Sequence, residues 1–163
     1  MHDRARDRAP GPIGQPRLLR ILVVEDDDDS RELLGDALRL TGAHTIALAK
    51  NGDEGIRHLR DDDYDLIVTD IRLPKLSGLE MLDQAQREGL LAETAIVVCS
   101  AEDRLRSEVL LRGATWLCKP VDIDKLWAIV RGLCVRTAPL EERPRGDDSG
   151  IELELAPAPA LPR

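Results

Sequence analysis

The sequence predicts an α/β domain, a doubly wound sheet of five parallel strands with five helices on its two faces. Three observations predict it. Short apolar, β-branched runs alternate strictly with segments of helical period, in the order βαβαβαβαβα across residues 20–137. The connections are short, which favours right-handed crossovers and a parallel sheet covered on both sides. One run, DLIVTD (65–70), is apolar almost throughout, as a strand buried on both faces should be.

Each element follows in turn. LRILVVE (19–25) is a β-branched run that reads as the first strand, and the helix after it is expected to start at Ser30. In SRELLGDALRLTG the residues Leu33, Leu34, Ala37, Leu38 and Thr41 form a helical stripe, and Gly42 suits the stop. AHTIALA (43–49) is the second strand. The next helix opens at Asn51 with Glu54 three residues on, the pattern of a capping box. After the third strand, Ser77 and Glu80 repeat that pattern ahead of SGLEMLDQAQREG. AIVVCS (95–100) is the fourth strand, EDRLRSEVLLRG a short helix and TWLC (115–118) the fifth strand. The last helix, VDIDKLWAIVRGLCVR, offers a wide apolar face of Ile123, Leu126, Trp127, Val130, Leu133 and Cys134.

Composition bounds the rest. The 163 residues are 42% hydrophobic and 33% charged, enough for one globular domain. Phe is absent, so the core rests on Leu, Ile, Val and Ala. Residues 1–17 (rich in Arg, Pro and Gly) read as a flexible arm, 18–137 as the domain, and 138–163 as a disordered acidic, Pro/Ala-rich tail. The net charge of −8 argues against a nucleic-acid surface. No stretch approaches the roughly 20 apolar residues of a membrane span, and the N-terminus lacks a secretory core, so a cytoplasmic location is expected. The cysteines Cys99, Cys118 and Cys134 show no metal spacing and read as small buried hydrophobes. The histidines have no partners in sequence; His44 and His58 are expected at exposed edges.

Ligands of a doubly wound sheet bind at the carboxyl ends of its strands. There the sequence collects Glu25 and Asp26 after strand one, Asp70 after strand three, Ser100 after strand four and Lys119 after strand five. Clustered carboxylates call for a hard cation, and oxygen-only ligation suits Mg²⁺. Glu25 and Asp26 would help to hold it, whereas Asp27, Asp28 and Asp29 would line the first helical turn, where negative charge complements the helix dipole. A carboxylate can also attack phosphorus, with a cation and a lysine neutralising the transferring group. Asp70 is the natural nucleophile.

Four stretches, ILVVEDD, DLIVTDIRLPKLSGLEML, AIVVCSA and GATWLCKPVD, together resemble the receiver domain of bacterial two-component response regulators, and the short segment after Ala138 leads us to expect the stand-alone type. They stand in the family's order and near its spacing, with 44 residues from Asp26 to Asp70 and 30 from Asp70 to Ser100. The resemblance implies a flavodoxin-like fold, with Asp70 as phosphoacceptor and Glu25, Asp26, Asp70 and the Arg72 backbone carbonyl around Mg²⁺. It implies that Lys119 meets the phosphoryl oxygens, that the Lys119–Pro120 bond is cis, and that Ser100 and Trp116 form the switch. Two departures stand out. Ser100 and Lys119 are only 19 residues apart, which trims the fourth helix region, and Trp116 replaces the usual Tyr or Phe.

The function so implied is a phosphorylation-dependent signalling switch rather than an enzyme. Its partners would be a sensor histidine kinase or histidine phosphotransfer protein and an unknown downstream protein, met as a monomer or weak dimer, with no nucleic acid and no membrane. One alternative is a receiver-like adaptor that works without phosphorylation. A phosphohydrolase of the haloacid-dehalogenase type is disfavoured, because it needs an acid where Arg72 stands. Arg72 and Glu102 are further expected to affect the lifetime of an acyl phosphate.

Overall fold

A computed structural model describes residues 17–42 and 44–136. The strands are β1 (Arg20–Val24), β2 (Thr45–Ala49), β3 (Leu66–Asp70), β4 (Ala95–Ser100) and β5 (Thr115–Cys118). The helices are α1 (Asp28–Arg39), α2 (Gly52–Asp61), α3 (Gly78–Arg87), α4 (Arg106–Leu111, preceded by a short 3₁₀ turn) and α5 (Ile123–Arg136). All strand pairs are parallel and the order is β2-β1-β3-β4-β5. The fold is the flavodoxin-like doubly wound sheet that the alternating pattern predicts.

Strand alternation divides the core into two layers. Leu22, Val24, Ile67 and Val98 face α2, α3 and α4, where Ile56, Leu59, Met81, Leu82, Ala85 and Val109 meet them. Ile21, Val23, Val68, Val97 and Leu117 face α1 and α5, packing on Leu34, Leu38, Leu126 and Val130. β3 is buried at all five positions, as its unbroken apolar run requires. The order reverses between β1 and β3, so the carboxyl ends of these strands flank the crevice where the candidate residues collect.

Several local expectations are corrected. α1 begins at Asp28 with Asp27 as its N-cap, because the Asp27 side chain accepts from the Ser30 N–H and so captures the helix start before Ser30 can. Leu33 is 64% exposed; the buried stripe of α1 is Leu34, Gly35, Ala37 and Leu38, one step round the helix. β2 starts at Thr45 rather than residue 43, which lies outside the described residues. At α2 Asn51 caps the Glu54 N–H, but Glu54 returns its bond to the Lys50 N–H instead of to Asn51. The reciprocal box forms in full at Ser77 and Glu80.

Cys99 is buried, and burial pushes its thiol up to about 12. Cys118 is exposed and Cys134 partly so, because β5 is an edge strand and Cys134 lies near the end of α5. His44 and His58 are half-buried rather than exposed. His44 Nδ1 accepts from the Leu19 N–H at 3.0 Å, and His58 Nδ1 lies 3.3 Å from the Tyr64 hydroxyl. At the arm's boundary, Arg17 is tied to Asp65 at 2.8 Å. The rest of the expected arm and the expected tail, 138–163, lie outside the described residues.

Candidate functional site

The site is assembled by strand termini. β1 keeps its hydrogen bonding to β2 as far as the Glu25 N–H, which donates to Ala49 O at 3.0 Å. This carries the Glu25 side chain, 2% exposed, into the crevice, while Asp26 is exposed beside it. β3 ends on Asp70, paired in register with Cys99, so Ser100 stands one residue further on. The Lys119 N–H donates to Ser100 O at 3.1 Å, which holds the chain after β5 against the end of β4. The Lys119–Pro120 bond is cis, as the resemblance implied.

Lys119 binds the carboxylates together. Its Nζ donates to Asp70 Oδ2 at 2.6 Å and to Glu25 Oε2 at 2.7 Å. Asp70 Oδ1 accepts from the Arg72 N–H at 3.1 Å. Burial, Asp70 and Asp26 push the Glu25 carboxyl up from its ordinary value, against the opposing pull of Lys119. Burial works against the Lys119 ammonium, yet its bonds to Asp70 and Glu25 carry it above its ordinary value. Among the described residues, one ammonium stands among three carboxylates, which leaves the crevice short of positive charge.

Oxygens of Glu25, Asp26 and Asp70 lie within 4.8 Å of one another. The donors are oxygen only and two of the three residues are buried, a set that fits a small hard divalent cation. The backbone of Arg72 adjoins Asp70 through its N–H. Its side chain turns outward and pairs with Glu102, which Arg104 also holds, at 2.6 Å. Both arginines, Arg104 first, keep the Glu102 carboxyl below the usual carboxylate range.

Ser100 is buried, and its hydroxyl accepts from the Glu102 N–H at 3.1 Å. Trp116 is paired in register with Val98, two residues before Ser100, and packs half-buried against the core layer on the α2, α3 and α4 side. The fourth helix region is indeed short, since α4 spans six residues. The structure thus brings Glu25, Asp26, Asp70 and Lys119 together, with Ser100 at the neighbouring strand end and Trp116 further back along the sheet.

Sequence reasoning missed Arg31, whose Nη1 donates to Glu25 O at 2.9 Å. Its one signal is that it is the sole cation between Ile21 and Leu38, directly after five carboxylates and a serine. Gly78 was also missed as part of the site. A Cβ built there would lie 1.9 Å from Asp70 O.

The family model of the response regulator receiver domain matches residues 21–131. The chain is 40% identical over 126 residues to the response regulator protein PmrA of Pseudomonas aeruginosa, covering 73% of this chain and 54% of that protein. It is 35% identical over 127 residues to the response regulator MprA of Mycobacterium avium, covering 76% and 54%. The chain therefore spans about half the length of these curated relatives. Among solved structures, the receiver domain of the Francisella response regulator 1452 superposes with a TM-score of 0.66 at 26% identity, covering 73% of this chain and 98% of that one. A co-crystal of the Saccharomyces cerevisiae phosphotransfer protein Ypd1 with the receiver domain of its downstream response regulator Ssk1 matches with a TM-score of 0.65 at 28% identity, covering 77% and 94%.

Proposed function

The chain belongs to the response regulator receiver domain family, and from that premise we propose that it is a phosphorylation-dependent switch in which Asp70 accepts a phosphoryl group from a partner's phosphohistidine. A carboxylate oxygen of Asp70 forms the new O–P bond as the N–P bond of a phosphohistidine protonated on its other ring nitrogen breaks. The electron pair of that bond stays on the ring, leaving an acyl phosphate on Asp70 and a neutral imidazole on the partner. The observation that supports this reading most is the shared grip of Lys119 on Asp70 and Glu25. It places a half-buried ammonium where charge on the transferring group must be neutralised.

Glu25, Asp26, Asp70 and the Arg72 carbonyl would hold Mg²⁺, which supplies further neutralisation of the phosphoryl oxygens when bound. Lys119 then exchanges its carboxylate partners for the phosphoryl group. The Ser100 hydroxyl, now held by the Glu102 N–H, turns to the new group, and Trp116 on the adjacent strand reports the change. The same reading takes a sensor kinase or a phosphotransfer protein as phosphodonor and a downstream protein as receiver of the signal. It treats any catalysis as confined to the chain's own phosphoryl gain and loss. The six-residue α4 leaves little helix for a dimer, which supports a monomer or weak dimer.

Tryptophan fluorescence tests the proposal during titration with Mg²⁺ and then beryllofluoride. Wild type should show a saturable Mg²⁺ response and a further beryllofluoride change that Asp70→Asn abolishes and Trp116→Phe silences. Trp127 serves as the remote control, since its indole N–H is tied to Ala37 O at 2.8 Å on the α1 side. Labelling of Asp70→Asn by a phosphodonor would overturn the assignment of the nucleophile. Calorimetry without any metal binding would favour the phosphorylation-independent adaptor.

A further inference from the structure

The run Glu25–Asp29 sets five carboxylates in succession, yet of the five only Glu25 and Asp26 join Asp70 in the acidic group. Two of the others are visibly occupied elsewhere. Asp27 caps α1, accepting from the Ser30 N–H at 2.8 Å, and that contact holds its carboxyl below the usual range. Asp28 is ion-paired with Arg31. The same guanidinium donates to Glu25 O at 2.9 Å and reaches within 3.5 Å of Asp26 O. The Arg31 side chain is only 15% exposed although it lies on a surface helix. One planar fork thus spans the main-chain carbonyls of both site acids, Glu25 and Asp26, and the carboxylate of a third.

We propose that Arg31 is a positioning residue that sets the metal preference of the site, holding Asp28 out of the acidic group and fixing the Glu25–Asp26 turn so that Mg²⁺ is favoured over Ca²⁺. The inference rests on the reading of Glu25, Asp26 and Asp70 as a Mg²⁺ site. Mg²⁺ demands a compact, nearly octahedral shell and keeps several waters, whereas Ca²⁺ accepts more oxygens at longer range in a looser frame. Releasing Asp28 adds a carboxylate, and releasing the two carbonyls loosens the turn that aims Asp26. Both changes move the site toward Ca²⁺. Lysine at this position keeps the charge but lacks the planar fork that serves several acceptors at once.

The test is calorimetry of Mg²⁺ and of Ca²⁺ on the full chain, with thermal melts in chelator to establish that each variant folds. Because partners that orient metal ligands commonly change affinity by about tenfold or more, Arg31→Met should lower the Mg²⁺-to-Ca²⁺ affinity ratio by about that factor. Arg31→Lys should lower it too. Asp28→Asn alone should leave the ratio unchanged, and in the Arg31→Met background it should restore most of the loss. If Arg31→Met fails to fold, Arg31→Lys with and without Asp28→Asn decides the matter. Mg²⁺ binding in wild type with an unchanged ratio in Arg31→Met, or a wild-type ratio in Arg31→Lys, overturns this inference and leaves the underlying site intact. Wild type that binds neither ion overturns both.

Discussion

A methyl group at residue 78 would be driven into the main chain that carries the proposed nucleophile. A Cβ on Gly78 would stand 1.9 Å from Asp70 O and 3.0 Å from Thr69 Oγ1, and neither is the far end of a flexible side chain. The Gly78 N–H also donates to Ile71 O at 2.9 Å, so α3 starts hard against the end of β3. Gly132, inside α5, is the opposite case, since a Cβ added there would meet nothing within 4 Å among the described residues. Gly78→Ala should therefore destabilise by about 2 kcal/mol or more, in the range of overpacked sites. Gly132→Ala should stabilise by about 0.5–1 kcal/mol, the helix-interior difference between the two residues. Urea unfolding of both variants checks the contrast, and phosphoryl uptake should fall only in the first.

The start of β2 carries the clearest pH dependence. His44 accepts the Leu19 N–H through Nδ1 and so must be neutral there, with its proton on Nε2, a buried atom without a hydrogen-bond partner among the described residues. Burial lowers the imidazole below its ordinary value of 6.5, although Asp65 opposes the shift. A group of this kind binds protons more readily when unfolded, so its contribution is complete above about pH 6.5 and is lost as the pH falls below it. Stability should decline from pH 7 toward 5, and His44→Gln, which can still accept the Leu19 N–H, should flatten that decline. Chemical denaturation across this window is the measurement. Elements were legible in sequence to differing degrees for physical reasons. β3 announced itself because burial on both faces excludes polar residues, whereas α1 left its phase open. A 3.6-residue period marks a stripe but not which neighbouring stripe is buried, and here the close approach of Gly35 to Leu48 turns Leu34 inward and Leu33 out.

Across the whole molecule, the residues that were readable in advance are those placed by strand ends. Glu25, Asp70 and Lys119 follow from a parallel sheet and a count of residues, because every strand delivers its last side chain to one edge. Arg31 escaped because its partners at the site are two main-chain carbonyls, which leave no mark in a sequence, and Ser100's hold on the Glu102 N–H was hidden for the same reason. The layout has a dynamic counterpart. β3 is the middle strand of five and is buried along its length, while the six-residue α4 has one buried residue, Val109. In native-state hydrogen exchange, amides of residues 66–70 should exchange only through global opening, and those of 106–111 through far cheaper local opening. Agreement of the β3 exchange free energy with the denaturant-derived stability would confirm the first half. On this expectation Asp70 is mounted on the strand that comes apart last, and α4, which packs on the strand that carries Trp116, loosens while the mount stays whole.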